Sequence, residues 1–150
     1  MKKTISEIRE ILDVSECNYE IIFQDKPILS SLDAEGFYPV EKSAPTLVLQ
    51  TENGFIGCIT SMQNGRLDFE KIKRQFGFKK LKLADKIEVE KKTGYSIGCI
   101  PLVGLDIPYI LDKKLFCHDF VYGGTGDVFL TLKINPKDLI NVNDIKGMFE

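Results

Sequence analysis

An Asn-Gly dipeptide between two β-rich runs restricts this chain more than any other feature of its sequence. Pro45-Thr-Leu-Val-Leu-Gln50 leads into Thr51-Glu-Asn-Gly54, and Phe55-Ile-Gly-Cys-Ile-Thr60 follows. Glycine accepts the positive φ of a tight hairpin turn, and the flanking residues suit pleated strands, so a hairpin is expected here. Around it the pattern alternates between helix and strand. Thr4-Ile-Ser-Glu7 is a capping box, and Ile5, Ile8, Ile11 and Leu12 recur at helical spacing to about Val14. Tyr19 to Phe23 reads as a strand and Ser30 to Phe37 as a short helix, while Asn64-Gly65 closes the second hairpin strand. Asp68 caps a helix carrying Phe69, Ile72 and Phe76, stopped by Gly77. Leu81 to Leu83 is a short strand, and Asp85-Lys-Ile-Glu88 is a second capping box, opening a helix that ends at Gly94. Thr93 to Leu105 is a loop, Ile107 to Leu111 and Phe120 to Tyr122 are strands, and Val128 to Ile134 is another. Asn135-Pro136 starts a last helix over Lys137 to Ile140. With no strict βαβ repeat, the expected class is α+β: a mixed, mostly antiparallel sheet, partly barrel-like, with surrounding helices.

Composition narrows the function classes. The 150 residues carry 43% apolar and 28% charged side chains, the usage of an ordinary globular domain. The longest uncharged stretches, Asn53 to Gly65 and Thr93 to Leu105, are broken by glycine or proline and too short to span a bilayer. The N-terminus has charges where a signal peptide needs an apolar core, so no membrane contact and a cytoplasmic location are expected. Cys17, Cys58, Cys99 and Cys117 form no CxxC pair, which speaks against a zinc ribbon or redox motif. Cys58 and Cys99 both sit in Ile-Gly-Cys-Ile, an apolar setting suited to buried, inert thiols. Cys117 and His118 are adjacent and a poor metal pair; the single histidine removes most conventional acid–base designs. Neither metal nor cofactor is expected.

The net charge of -2 hides an uneven distribution. From Lys71 to Lys92 nine basic residues face only Asp85, Glu88 and Glu90, so that segment is +6 and the remainder -8. Such a stripe is an electrostatic footprint for phosphates or a pair of solvated helix faces. Two further segments carry potential chemistry. In Thr93-Gly-Tyr-Ser-Ile-Gly-Cys-Ile-Pro-Leu-Val-Gly104, free amides can bind an oxygen that gains charge during ester cleavage; the segment also reads as a plain helix-to-strand connection. In Gly123-Gly-Thr-Gly-Asp127, successive amides can form an anion-binding concavity, with Thr125 as donor and Asp127 as acceptor; it also reads as a hairpin turn.

The succession of these segments resembles a known family. Pro45-Thr-Leu-Val-Leu, Gly54-Phe-Ile, Asp68-Phe-Glu-Lys-Ile-Lys, Leu81-Lys-Leu-Ala84, Thr93-Gly-Tyr, Gly98-Cys-Ile-Pro-Leu-Val-Gly104 and Tyr122-Gly-Gly-Thr-Gly-Asp127 follow the order of the YbaK/prolyl-tRNA-synthetase-associated domain. The resemblance covers about Glu20 to Leu139 and implies one editing-type domain over residues 1–150, its core at about 20–140 and its N-terminal helix at about 4–14. It implies a mixed α+β fold around a small pocket, and metal-free hydrolysis of mischarged aminoacyl-tRNA. With no synthetase body in the 150 residues, that action is expected in trans. The family's glycine-and-proline substrate loop matches Gly98 to Leu102; Gly98, Cys99, Ile100 and Pro101 would supply amides and pocket wall, and Leu102 would contact the substrate. Many members have the proline where this chain has Leu102. Thr46 with Gly123, Gly124, Thr125, Gly126 and Asp127 would bind the substrate's polar end, and Lys79, Lys80 and Lys82 would attract the acceptor stem. Many members carry a lysine before that threonine. Here Pro45 takes its place, and Lys42, three residues upstream, would substitute in substrate binding only if the chain bends. The implied partners are aminoacyl-tRNA and a tRNA synthetase. The competing reading is a non-catalytic tRNA- or aminoacyl-ligand-binding module docking with a synthetase.

Overall fold

The computed structural model describes residues 2–150. Among the described residues four α-helices and eight strands are interspersed in an α+β arrangement. The first helix, α1 (Ile5–Val14), begins as expected: the Thr4 side chain accepts from the Glu7 amide and Glu7 accepts from the Thr4 amide. That reciprocal pair satisfies two amides that a helix start leaves bare. Ile8 and Leu12, one turn apart, bury the inner face of α1 in the main core.

The chain forms two sheets rather than one. β1 (Tyr19–Phe23), β6 (Val121–Gly124) and β7 (Leu130–Ile134) make a three-stranded antiparallel sheet in the order β1-β7-β6. β2 (Thr46–Thr51), β3 (Gly54–Ile59), β4 (Leu81–Leu83), β5 (Tyr109–Asp112) and β8 (Ile145–Phe149) make a mixed sheet in the order β4-β2-β3-β5-β8. β2 is antiparallel to β3 and β4; β5 is parallel to β3 and β8. No barrel closes among the described residues. The sheets touch through a bridge between Ser43 and Tyr122, where the Ala44 amide donates to the Tyr122 carbonyl at 2.7 Å.

The hairpin forms with Thr51 opposite Gly54, as the Asn-Gly dipeptide predicts. Every residue of β5 is buried, as suits a strand with parallel neighbours on both sides. One face of the mixed sheet packs Leu49, Ile56, Cys58 and Ile110 against Ile72 of α2 (Phe69–Phe76). Val48, on the other face, joins Val89 of α3 (Lys86–Thr93) and the loop residues Tyr95 and Ile100. α4 (Pro136–Val142) follows its Asn135 cap, and Leu139 enters the main core.

Several sequence expectations change. Ser30 to Phe37 contains only a 3-10 turn, Ser31–Ala34, and Asp33 is engaged upstream by the Leu29 amide. The second hairpin strand stops at Ile59, not at Asn64-Gly65. There the buried carboxylate of Asp112 accepts from the Ser61 amide at 3.0 Å, the Thr60 hydroxyl at 3.3 Å and the Asn64 side chain at 2.7 Å. Those bonds pull the chain out of the ladder. At Asp85 one carboxylate oxygen accepts from both the Ile87 and Glu88 amides. Gly123 and Gly124 belong to β6 rather than to the turn. β8 is unforeseen: its pairing with β5 is parallel, and its partner lies far back in the chain.

Candidate functional site

A cavity of about 330 Å³ lies where the two sheets meet. Its wall is built from Ala44 to Leu47 at the start of β2, the Ile97 to Ile100 turn, the end of β6 with its following turn, and the Ile28 to Ser30 segment. The last is held there by the Ile28 amide, which donates to the Val128 carbonyl at 2.8 Å.

The loop shape follows from its residues. The Cys99 amide donates to the Ser96 carbonyl at 2.9 Å, closing a turn in which Gly98 has φ +97°. Glycine is the residue that adopts this conformation without strain. The two glycine-rich motifs then meet directly. A Cβ on Gly124 would run into the Ile100 carbonyl, and one on Gly123 would lie 2.6 Å from the Leu102 side chain. The Leu102 amide donates to the Gly124 carbonyl at 3.0 Å. Gly123 and Gly124 therefore allow close backbone packing against the loop, and both also border the cavity. Pro101 and Leu102 are buried behind the wall and do not border the cavity; Leu102 belongs to the main core. Thr46, Gly98, Cys99, Ile100 and the whole run from Gly123 to Asp127 do border it.

The hydroxyls of the wall differ in their bonding. Thr125 donates to the Leu130 carbonyl at 2.9 Å and accepts from the Asp127 amide, so the donor expected of it is used within its own turn. Thr131 donates to Gln24 at 3.1 Å, and Ser43 meets the Tyr38 hydroxyl at 3.5 Å. The Thr46 Oγ1, by contrast, is buried on the cavity wall without a partner. A buried hydroxyl left unpaired costs about 1–3 kcal/mol, which a ligand can recover.

The electrostatics are equally uneven. Among the described residues no lysine or arginine lines the cavity, and Asp127 is its only acidic side chain. Lys42 ends a 3-10 turn, Val40–Lys42, just before the wall and does not take the place that Pro45 leaves without a cation. Burial pushes the Cys99 thiol up, with Asp127 adding to the effect and Lys2 opposing it. Burial likewise raises the Tyr38 phenol. Both stay protonated at neutral pH. His118 lies outside the wall, its Nε2 buried without a partner.

Lys79, Lys80 and Lys82 are exposed but are not brought to the cavity. Lys82 of β4 pairs with Gln50, roughly 13 Å along β2 from Thr46 at the usual strand rise. The Lys79 and Lys80 amides donate to Glu52 at the hairpin tip. Among the described residues none of the nine basic side chains from Lys71 to Lys92 forms an ion pair. Sequence reading missed Tyr38, Ser43 and Ile28 to Ser30 as wall residues. Only the sheet junction carries them there.

A family model described as the aminoacyl-tRNA editing domain matches residues 30–142. A proline–tRNA ligase of Thermosipho africanus (strain TCF52B) is 28% identical over 108 residues, which is 71% of this chain and 19% of the ligase. The chain thus spans about a fifth of that relative's length. A crystal structure of a hypothetical protein superimposes with a TM-score of 0.84 at 22% identity, covering 95% of this chain and 97% of that one. Another, described as a candidate trans-editing enzyme for prolyl-tRNA synthetase, gives 0.80 at 22% identity over 98% and 96%. At these identities the structures share the fold. Among the described residues no helix is long and apolar enough to cross a membrane.

Proposed function

The chain belongs to the aminoacyl-tRNA editing domain family, and from that premise we propose that it hydrolyses the ester of mischarged aminoacyl-tRNA, acting in trans. The observation that carries this reading is the unpartnered Thr46 hydroxyl on the wall of a cavity of about 330 Å³. That volume lies at the low end of small-ligand sites and suits an aminoacyl group with part of a nucleoside. The candidate trans-editing enzyme, matched over 96% of its own length, supports action as a separate chain.

The chemistry proceeds without a side-chain nucleophile. The Cys99 thiol is protonated, so a thiolate is not at hand. An aminoacyl ester is already activated, and positioning plus fixed donors lower its barrier. In this reading Thr46 holds the substrate's polar end, and the turn from Gly98 to Ile100 supplies amides for the developing oxyanion. Asp127 receives the α-ammonium group, the one cation such a substrate carries at that end. The terminal ribose hydroxyl of the tRNA activates the attacking water. Pro101 acts from behind the wall by fixing the turn. Lys79, Lys80 and Lys82, a hairpin's length away, attract the acceptor stem rather than the ester.

Incubation with a panel of mischarged tRNAs should release free amino acid faster than buffer for at least one of them. Thr46→Val should slow that release about ten- to hundredfold if the hydroxyl binds the transition state. No turnover above buffer across the panel refutes hydrolysis. One observation favours the second reading, a non-catalytic binding module: the wall holds no cation where Pro45 stands. Under it, binding of the aminoacyl end persists without turnover.

A further inference from the structure

Two tyrosines distant in sequence meet in the cavity wall. The Tyr38 and Tyr122 rings stack with centroids 4.6 Å apart and planes 5° from parallel. Both residues border the cavity, and both are half-buried. The stack is held by the segment that presents Thr46. Ser43 Oγ lies 3.5 Å from the Tyr38 hydroxyl, and the next residue, Ala44, donates its amide to the Tyr122 carbonyl at 2.7 Å. A flat aromatic platform and an unpartnered hydroxyl thus share one rigid support.

The charge pattern says what the platform holds. Among the described residues no lysine or arginine lines the wall, and the Asp127 carboxylate disfavours a phosphate beside it. The uncharged parts of a nucleotide must then be held by other means, and base stacking on an aromatic face is the strongest of these. We propose that the Tyr38–Tyr122 pair is the platform for the terminal nucleobase of an RNA 3′ end, setting that nucleotide's ribose against Thr46 while the phosphates stay outside. The presence of an RNA end rests on the reading above; the placement of its base does not depend on hydrolysis.

The test uses a minihelix carrying a 3′ amide-linked glycyl group, which cannot be hydrolysed, and a copy whose terminal nucleotide is abasic. The wild-type chain should bind the abasic probe about tenfold more weakly, the scale of one base–aromatic stack. Tyr38→Leu should lose a similar factor with the intact probe and nothing further with the abasic one. Tyr38→Phe and Tyr122→Phe, which keep the rings, should bind the intact probe within about twofold of wild type. Wild-type indifference to the base overturns the proposal, whatever the variants do. So does a Tyr38→Leu/Tyr122→Leu chain that still discriminates about tenfold between the probes, because the base then stacks elsewhere. A chain that deacylates mischarged tRNA yet ignores the base loses this proposal alone. Base-dependent binding without turnover leaves it standing and removes only the hydrolytic reading.

Discussion

The tetrapeptide Ile-Gly-Cys-Ile occurs twice, at residues 56–59 and 97–100, and the two copies differ in structure, burial and chemistry. The first is the body of β3, with Cys58 opposite Leu47 on one side and Ile110 on the other. Its cysteine is fully buried. The second copy makes a turn: Ile97 is 50% exposed, Gly98 sits at positive φ, and Cys99 borders the cavity. Burial raises both thiols, and more strongly at Cys58, where the Asp112 carboxylate adds to it. What separates the copies is their flanks. A β-rich run and an Asn-Gly turn precede the first, so a ladder partner is supplied within a few residues. A helix ending at Gly94 precedes the second and Pro101 follows it, so no strand can form. Four residues do not choose a structure; hydrogen-bond partners do.

The contrast is sharpest where each copy ends. Asp112 clamps the chain leaving the first copy through Thr60, Ser61 and Asn64, whereas the second is held by one turn bond and its contact with Gly124. Asp112→Ala should therefore produce the largest loss, about 3–5 kcal/mol in chemical denaturation, since several buried donors lose their acceptor together. Replacing the thiols separates the copies directly. Cys58→Ser puts a hydroxyl into the apolar core and should cost about 1–3 kcal/mol, while Cys99→Ser should stay within ~0.5 kcal/mol. Equal costs would mean that the two environments are alike after all. Gly98→Ala should cost about 1–2 kcal/mol, from positive φ and a carbonyl of Leu29 3.1 Å from the added carbon, with a raised KM for any substrate of the cavity. The smallest effect is kinetic. A thiol reagent at neutral pH should modify exposed Cys117 first, then Cys99, with Cys58 reacting only on unfolding. Because the Cys99 pKa is raised, its labelling rate should keep climbing with pH above the ordinary thiol value of about 8.5, where an unshifted thiol levels off.

Much of the fold can be read from local chemistry. Thr4, Asp68, Asp85 and Asn135 cap their helices in the structure because capping needs only a side chain and the amides of the next turn. The hairpin is equally local. β8 and the division into two sheets were not legible, because parallel pairing and sheet junctions depend on contacts between distant segments. At the site, the sequence pointed to the loop from Gly98 and the glycines from Gly123 but assigned them separate binding roles. In the structure Gly123 and Gly124 border the cavity and also let that loop approach. It also places Leu102 and Pro101 behind the wall and leaves Lys79, Lys80 and Lys82 at a distance.

By itself, the sequence determined where helices start, where the hairpin turns, and that Pro45 stands before Thr46, since each depends on neighbours along the chain. The tertiary structure alone decided that Thr46 is left without a hydrogen-bond partner, that Tyr38 stacks on Tyr122, and that among the described residues no lysine or arginine lines the cavity. Those outcomes depend on which segments are packed together, and a side chain's partners and charge surroundings are fixed only when distant backbone closes around it.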